Sequence, residues 1–80
     1  MSSMDQLDCR HLLCPMPVIR TQDRIAKLSP GDRLLVTCTD PGVIQDIPTW
    51  CRINGHRVLE TVEREREIHI TIEVCPSTDQ

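Results

Sequence analysis

Near its carboxyl end the chain alternates apolar and polar side chains more strictly than anywhere else, and this pattern constrains the fold most. Residues 68–74 carry isoleucine or valine at every second position, with His69, Thr71 and Glu73 between them. A period of two is typical of a β-strand that buries one face. We therefore expect a sheet that is covered on one side and at least partly exposed to solvent on the other.

The preceding segments predict alternating strands and helices. Val18, Ile25 and Leu28 recur at helical spacing, and the run 29–32 is a strong stop and turn signal. The predicted elements are strands over Gln6–Cys9, Leu34–Thr39 and His56–Val62, a helix over Pro15–Leu28, and a helix from about Ile47 to Asn54.

The sequence predicts turns in two regions, before the second helix and before the last strand. Asp40 and Pro41 have the composition of a helix start, with Asp40 as the N-cap, but Pro48 interrupts the stretch that follows. We therefore expect a short turn near 41–46 and place Pro48 in the first turn of the main helix. The charged run 64–67 is expected to be a solvated turn, and it has no glycine to make a tight two-residue hairpin.

Length and composition limit how these elements pack. Eighty residues with no Phe, no Tyr and one Trp are enough for one core of Leu, Ile, Val and Met, and such a core supports two layers. The order β-α-β-α-β-β then predicts an α/β fold of the α+β type: a two-layer sandwich in which two helices cover one face of a four-stranded mixed sheet. We expect a single domain over residues 1–80, with its core at about 6–74 and flexible ends.

Charge and cysteine content bear on the class of function. The net charge is −3 and no lysine- or arginine-rich stretch occurs, which disfavours tight nucleic-acid binding because phosphate neutralisation supplies most of that affinity. The sequence shows neither a signal peptide nor an apolar run of membrane-spanning length, so we expect a cytoplasmic protein in a reducing compartment. Five cysteines without zinc-type spacing predict free thiols, with no metal site and no disulfide framework.

The strongest chemical signal is the run Cys14-Pro15-Met16-Pro17. Proline is accepted in the first turn of a helix, and the residue before a proline is driven toward extended geometry. These preferences place Cys14 at or near the N-cap, where the helix dipole is expected to lower the pKa of the thiol and raise its thiolate fraction. Pro15 and Pro17 are expected to fix the direction of the sulfur, although each removes an N–H that could have reached it.

Several residues near this motif have more than one interpretation. Arg10, His11 and Arg20 could polarise Cys14 or contact a partner, and a solvated surface role fits each of them as well. Cys9 could be a resolving thiol for Cys14, although a small buried side chain is the favoured interpretation.

The remaining candidate residues are interpreted structurally. Asp40 and Asp46 are expected to be helix-capping residues rather than a pair of acid–base groups. Trp50 is expected to be a core or rim anchor. The other three cysteines are assigned to a core strand, a core helix and the tail, in this order: Cys38, Cys51 and Cys75.

Two motifs, in the right order, resemble those of one protein family. The first motif is Leu7-Asp8-x-Arg10-x-Leu12-x-Cys14-Pro15-x-Pro17. The second comprises Thr39-Asp40-Pro41, Asp46-Ile47-Pro48-x-Trp50-Cys51 and Gly55-His56. The motifs run from Leu7 to His56, and over about residues 6–74 the chain resembles the TusA/SirA family of small sulfur-carrier proteins, whose signature includes C-P-x-P.

The resemblance implies a sulfurtransferase that acts as a persulfide carrier. Cys14 would accept sulfane sulfur from a cysteine desulfurase or a rhodanese-like donor and pass it to an acceptor protein, with Pro15 and Pro17 in positioning roles. The chemistry needs no metal and no organic cofactor. Relays of this family serve tRNA thiolation, sulfur oxidation or the maturation of molybdenum enzymes. Nothing in the sequence demands more than a monomer.

The chain departs from the family pattern around the cysteine. His11 stands where the family's loop commonly has glycine, and histidine tolerates a positive φ better than most residues. Leu13 and Met16 stand where the best-known branch has arginine and glutamate. Because a partner must dock on the residues that flank the cysteine, these differences bear on which partners the protein uses.

Two rival functions are weighed against the sulfur carrier. A thiol-redox module would use Cys14 with Cys9 as a disulfide switch, and it predicts that both cysteines are indispensable. A nucleic-acid-binding or regulatory protein is suggested because similar two-layer folds occur in RNA-binding domains. The acidic charge and the lack of aromatic residues for base stacking oppose that second rival.

Overall fold

The computed structural model describes residues 4–76, which form four strands and two helices in the predicted order. The elements are β1 (Met4–Cys9), α1 (Met16–Ile25), β2 (Arg33–Cys38), α2 (Val43–Ile53), β3 (Arg57–Arg64) and β4 (Glu67–Glu73). The flexible ends that the sequence predicts fall mainly on 1–3 and 77–80, outside the described residues. Met4 was expected to belong to the flexible amino end, but it is the first residue of β1, because it pairs with Arg33 of β2.

The strands form one mixed sheet with the spatial order β1-β2-β4-β3. β1 runs parallel to β2, and β4 runs antiparallel to both β2 and β3. β4, which has the strictest alternation, is therefore an inner strand. Its isoleucines are buried, whereas His69, Thr71 and Glu73 are only half-buried on the opposite face. The predicted sheet, covered on one face, is confirmed.

Both helices pack on the covered face and contact each other. Each helix buries side chains at intervals of four residues, which keeps them on one stripe. The buried residues are Pro17, Thr21 and Ile25 on α1, and Val43, Ile47 and Cys51 on α2. Opposite them the sheet contributes fully buried aliphatic residues such as Leu34, Val36 and Ile70. The two layers therefore share one aliphatic core, as the composition predicts.

α2 differs from its prediction, because it is one continuous helix with Pro48 in its interior. Pro48 lacks the N–H that would bond to the carbonyl of Ile44. The buried stripe of α2 extends on both sides of Pro48, and burying that stripe outweighs one missing hydrogen bond. The N-cap is Gly42 rather than Asp40, so the expected turn is confined to the residues before the helix.

The hairpin between β3 and β4 also differs from its prediction. Only Glu65 and Arg66 lie between the paired residues Arg64 and Glu67, and both have positive φ, 51° and 69°. Positive φ at both central residues is the geometry of a type I′ turn, which matches the twist of the strands it joins. The chain therefore makes a tight two-residue hairpin without glycine, contrary to the prediction.

The helices are short, with 10 residues in α1 and 11 in α2. α1 ends at Ile25 rather than Leu28, because the N–H groups of Lys27 and Leu28 donate to carbonyls only three residues back, which tightens the last turn. Within the described part of the chain, neither helix has the length and apolar composition that a membrane crossing requires.

Candidate functional site

Cys14 lies on the segment that connects β1 to α1, and it is exposed. Pro15 is the N-cap of α1, and its carbonyl accepts the hydrogen bond of the Ile19 N–H at 3.1 Å. Cys14 therefore precedes the N-cap by one residue, close to its predicted position. Pro17 is fully buried, which anchors the first turn of α1 in the core.

Asp40 holds the backbone at the cysteine. The backbone N–H of Cys14 donates to Asp40 Oδ2 at 2.9 Å, and the N–H of Gly42 donates to Asp40 Oδ1 at 3.1 Å. These hydrogen bonds lower the pKa of Asp40, with the bond from Cys14 as the larger cause. The predicted N-cap role of Asp40 is wrong, because no side chain caps α2. Its carboxylate instead joins the segment before α1 to the turn before α2.

Asp46 contacts the sulfur itself. Cys14 Sγ donates a hydrogen bond to Asp46 Oδ2 at 2.7 Å, across 32 positions of sequence. Asp46 lies in the first turn of α2, so the continuous helix through Pro48 is what brings its carboxylate to the thiol. The interpretation of Asp46 as a helix cap is therefore wrong. It is a site residue that the sequence analysis did not identify.

The pKa of the Cys14 thiol is raised, which contradicts the expectation from the helix dipole. The largest cause is the hydrogen bond to Asp46, followed by loss of solvent around the sulfur and by the negative charges of Asp46 and Asp40. A carboxylate acceptor stabilises the protonated thiol, and nearby negative charge disfavours a thiolate. Pro15 and Pro17 also deprive the helix start of two N–H donors. In the free protein Cys14 is therefore held as a thiol.

Two of the basic residues predicted near Cys14 are directed elsewhere. Arg10 forms ion pairs with Asp8 at 2.9 Å and with Glu67 at 3.5 Å. Arg20 lies on the exposed surface of α1. Neither contributes to the pKa of Cys14, so the structure does not bring their charges to the thiol.

His11 shapes the turn after β1. Its φ of 68° is the left-handed conformation that glycine adopts most easily, and histidine accepts it as predicted. Its backbone N–H donates to Thr39 Oγ1 at 2.8 Å. This bond ties the segment that carries Cys14 to the end of β2, whereas the imidazole makes no contribution to the pKa of Cys14.

A shallow groove of about 390 Å³ opens beside the thiol. Cys14 lines it together with Asp46, Trp50 and Ile53 of α2. Trp50, expected to be a core or rim anchor, is half-buried, packs against the core and lines the groove. Leu13, which precedes Cys14 in the chain, is 74% exposed, and Ile53, which lines the groove, is 76% exposed. We call these two residues the apolar rim.

The other cysteines of the described chain are less accessible. Cys9 and Cys38 oppose each other across β1 and β2 and are fully buried. Burial raises the pKa of Cys9 and raises that of Cys38 to about 12. Cys51 is buried on α2, and Cys75 is half-buried after β4. The core interpretation of the first three is confirmed. A resolving role for Cys9 is disfavoured because its sulfur is closed off from solvent.

Comparison with known proteins identifies close relatives. A family model described as "Sulfurtransferase TusA" matches residues 5–74. The sulfur carrier protein TusA of Allochromatium vinosum is 33% identical over 73 residues, which cover 90% of this chain and 96% of that protein. YrkF of Bacillus subtilis is 40% identical over 62 residues, or 78% of this chain, and the match spans only 33% of the length of YrkF.

A solved structure has the same fold. A SirA-like protein from Desulfitobacterium hafniense superposes with a TM-score of 0.79, over 91% of this chain and 99% of that chain, at 24% identity. The family model covers both sequence motifs, the exposed cysteine and the two aspartates that surround it. The chain therefore belongs to the TusA family of sulfurtransferases.

Proposed function

We propose that the protein is a persulfide carrier, in which Cys14 accepts one sulfane sulfur atom and passes it to an acceptor protein. The observation that carries this proposal is the exposure of Cys14 at the start of α1, in a chain of the TusA family. Within residues 4–76 it is the one exposed cysteine. Relatives of the chain are named sulfur carrier proteins, which supports the same role here.

The proposed loading step is an exchange at sulfur. Cys14 Sγ attacks the terminal sulfur of a donor persulfide, and an S–S bond forms at Cys14 as the S–S bond of the donor breaks. The donor cysteine leaves as a thiolate and takes up the proton that Cys14 gives up. Atoms and electrons balance with no external oxidant or cofactor.

Unloading is the same exchange in the opposite direction. An acceptor thiolate attacks the terminal sulfur carried by Cys14, and a new persulfide forms on the acceptor. Cys14 leaves as a thiolate and regains a proton. The carrier thus returns to the state in which its thiol donates to Asp46.

Pro15 and Pro17 have a positioning role in this proposal. Pro15 provides the N-cap of α1, and Pro17 is fully buried in its first turn. The bond from the Cys14 N–H to Asp40 holds the backbone on the other side. A thiol held in this way stays at the edge of the groove, where a partner sulfur can approach it in a defined direction.

The proposed partners are proteins rather than small substrates. The donor is a cysteine desulfurase or a rhodanese-like protein, and the acceptor is a second sulfur-transfer protein of the same reducing, cytoplasmic compartment. Leu13 and Ile53 form an apolar rim beside an open groove, which suits a cysteine-bearing loop of another protein. The acceptor decides whether the relay serves tRNA thiolation, sulfur oxidation or the maturation of molybdenum enzymes.

Intact-protein mass spectrometry without reductant tests the proposal. The protein is incubated with a cysteine desulfurase and cysteine, or with a rhodanese and thiosulfate. We expect a gain of one sulfur atom that a reductant removes. The gain should be absent in Cys14→Ser and present in Cys75→Ser, which removes the half-buried thiol and is the matched control.

A Cys9→Ser variant separates the carrier from the thiol-redox module. The carrier needs only Cys14, so Cys9→Ser should load normally. Absence of sulfur gain with both donors, together with a Cys9–Cys14 disulfide in peptide mapping of the oxidised protein, would contradict the carrier and favour the redox module.

A further inference from the structure

Asp46 forms the only side-chain hydrogen bond to the Cys14 sulfur within the described chain. We propose that Asp46 sets how tightly Cys14 holds its sulfur: its carboxylate stabilises the unloaded thiol and destabilises the loaded persulfide anion, so that sulfur is released readily to an acceptor. This inference rests on the proposed carrier function. It assigns a positioning role to a residue of α2 that lies 32 positions from the cysteine.

The geometry defines the unloaded state. Sγ lies 2.7 Å from Asp46 Oδ2, and the sulfur is the donor because an ionised carboxylate only accepts hydrogen bonds. Asp46 forms no ion pair within residues 4–76, so its charge is not neutralised by a neighbouring cation.

The charges around the sulfur all have one sign. Asp46 acts from α2, and Asp40 acts from the turn before it. The hydrogen bond to Asp46 is the largest cause of the raised pKa of the thiol, and loss of solvent around the sulfur and the charges of Asp46 and Asp40 add to it. Three basic residues of the adjoining segment and of α1 make no contribution: Arg10, His11 and Arg20. Among residues 4–76, the charged groups that shift the pKa of this thiol are therefore the two carboxylates alone.

Loading replaces the attraction between Asp46 and the Cys14 thiol with a repulsion. Once Sγ carries a second sulfur it has no proton, and it can no longer donate to Asp46. The terminal sulfur of a persulfide is a stronger acid than a thiol, so near neutral pH it bears a negative charge. An anion beside the Asp46 carboxylate is repelled. The loaded form loses a hydrogen bond and gains a repulsion, and both changes favour the unloaded thiol.

The repulsion also has a direction. Asp46 lies on α2, and its carboxylate repels a loaded terminal sulfur, which favours positions of that sulfur farther from Asp46 and closer to solvent. The two residues of the apolar rim are Leu13, which is next to Cys14 in the chain, and Ile53, which lines the groove. A partner that covers the rim would therefore meet the terminal sulfur first.

The test uses Asp46→Asn, which keeps the size of the side chain and removes its charge. Asp23→Asn on the exposed surface of α1 is the control, because it removes the same charge from a residue with no part in the pKa of Cys14. The first measurement is the pH dependence of Cys14 alkylation by iodoacetamide, followed on the Cys14 peptide by mass spectrometry.

Asp46→Asn should lower the pKa of Cys14, whereas Asp23→Asn should leave it unchanged. A lower pKa increases the thiolate fraction near pH 7, and the weaker nucleophilicity of a more acidic thiol offsets part of that increase, so we expect alkylation to be about threefold faster. Equal profiles for the two variants would overturn the proposal. So would a pKa below about 8.5 for Cys14 in the wild-type protein, a result that does not depend on the variant folding.

The second measurement is the loaded fraction at equilibrium with a mixture of glutathione persulfide and glutathione. The ratio of loaded to unloaded Asp46→Asn should rise by roughly threefold to tenfold over both the wild type and Asp23→Asn. An unchanged ratio would overturn the proposal. Failure of the carrier function itself gives a different result, because the wild type would then gain no sulfur from either protein donor while the alkylation profiles still report on Asp46.

Discussion

His56 connects three elements of the structure through one imidazole ring. The ring stacks on Trp50 of α2 with ring centroids 5.5 Å apart. Its Nδ1 accepts a hydrogen bond from the backbone N–H of Cys75 at 3.2 Å, beyond the end of β4. A nitrogen that accepts a hydrogen bond carries no proton, so the ring is neutral in this arrangement. Partial burial, which lowers the pKa of His56 from 6.5, has the same effect.

We predict that the protein loses stability when the pH falls below about 6.5. Because the pKa of His56 is lower in the folded than in the unfolded state, the unfolded chain binds protons more readily. The contribution of the neutral ring is complete above the unfolded pKa and is lost as the pH falls through the folded pKa. Urea denaturation at several pH values measures the loss, and the fluorescence of Trp50, the sole tryptophan, should titrate with a midpoint below 6.5.

His56→Gln provides the control for this prediction. Glutamine offers a hydrogen-bond acceptor that does not titrate in this range. The variant should lose the fluorescence transition and show a weaker dependence of stability on pH. A midpoint above 6.5, or the same transition in His56→Gln, would show that another group is responsible.

Residues around Cys14 differ in how well the sequence predicts them. The position of the thiol depends on four consecutive residues, and their local preferences are strong enough to predict it. Asp40 and Asp46 reach Cys14 from 26 and 32 residues away, and local preferences do not encode such contacts. The available signal was the second family motif, which contains both aspartates. Arg10 is a predicted contact of Cys14 because it is near the cysteine in sequence, but it pairs with Asp8 instead.

At the scale of elements, the sequence predicts best where one pattern dominates. The alternation of β4 and the apolar stripe of α1 correctly predict a strand and a helix. Pro48 and the missing glycine after Arg64 are local signals against a helix and against a tight turn. In both places the packing of a longer element prevails over them, because α2 buries its stripe on the sheet and β3 pairs with β4 up to Glu67.

The hairpin turn offers a stabilising change. Glu65→Asn combined with Arg66→Gly should increase the free energy of unfolding by about 1 kcal/mol, because asparagine and glycine adopt positive φ with less strain. Urea denaturation should show a higher midpoint with an unchanged slope. Arg64→Gly is the matched control, since glycine within a strand weakens it and should lower the midpoint. A lower midpoint for the Asn-Gly variant would contradict the type I′ geometry.

At the scale of the whole molecule, apolar side chains serve two separate purposes. Ile70 is fully buried in the centre of the sheet, whereas Ile53 is 76% exposed on α2 beside Cys14. One residue type therefore occurs in the folding core and on the surface that we propose for partner docking. A domain of 80 residues has a total stability of about 4–12 kcal/mol. Truncating one buried core side chain therefore removes a large part of its free energy of unfolding.

Substitution by alanine should affect stability at one of these positions and sulfur transfer at the other. Ile70→Ala should lower the free energy of unfolding by about 2–5 kcal/mol, because it leaves a cavity in the core. Ile53→Ala should change it by less than about 0.5 kcal/mol but slow sulfur transfer to a protein partner. Urea denaturation and transfer assays on both variants measure this separation. Normal transfer by Ile53→Ala would remove Ile53 from the docking surface.

The outer strands of the sheet carry features that disfavour association between molecules through their sheet edges. β1 and β3 are the edges, and an exposed edge offers unpaired backbone groups to which another sheet can add. β1 carries Asp5 and Asp8, and β3 carries Glu60 and shifts register after Val58. Charge and irregular pairing discourage aggregation along both edges. Association through the sheet edges is therefore disfavoured, which leaves the surface around Cys14 as the one that we propose for partner contacts.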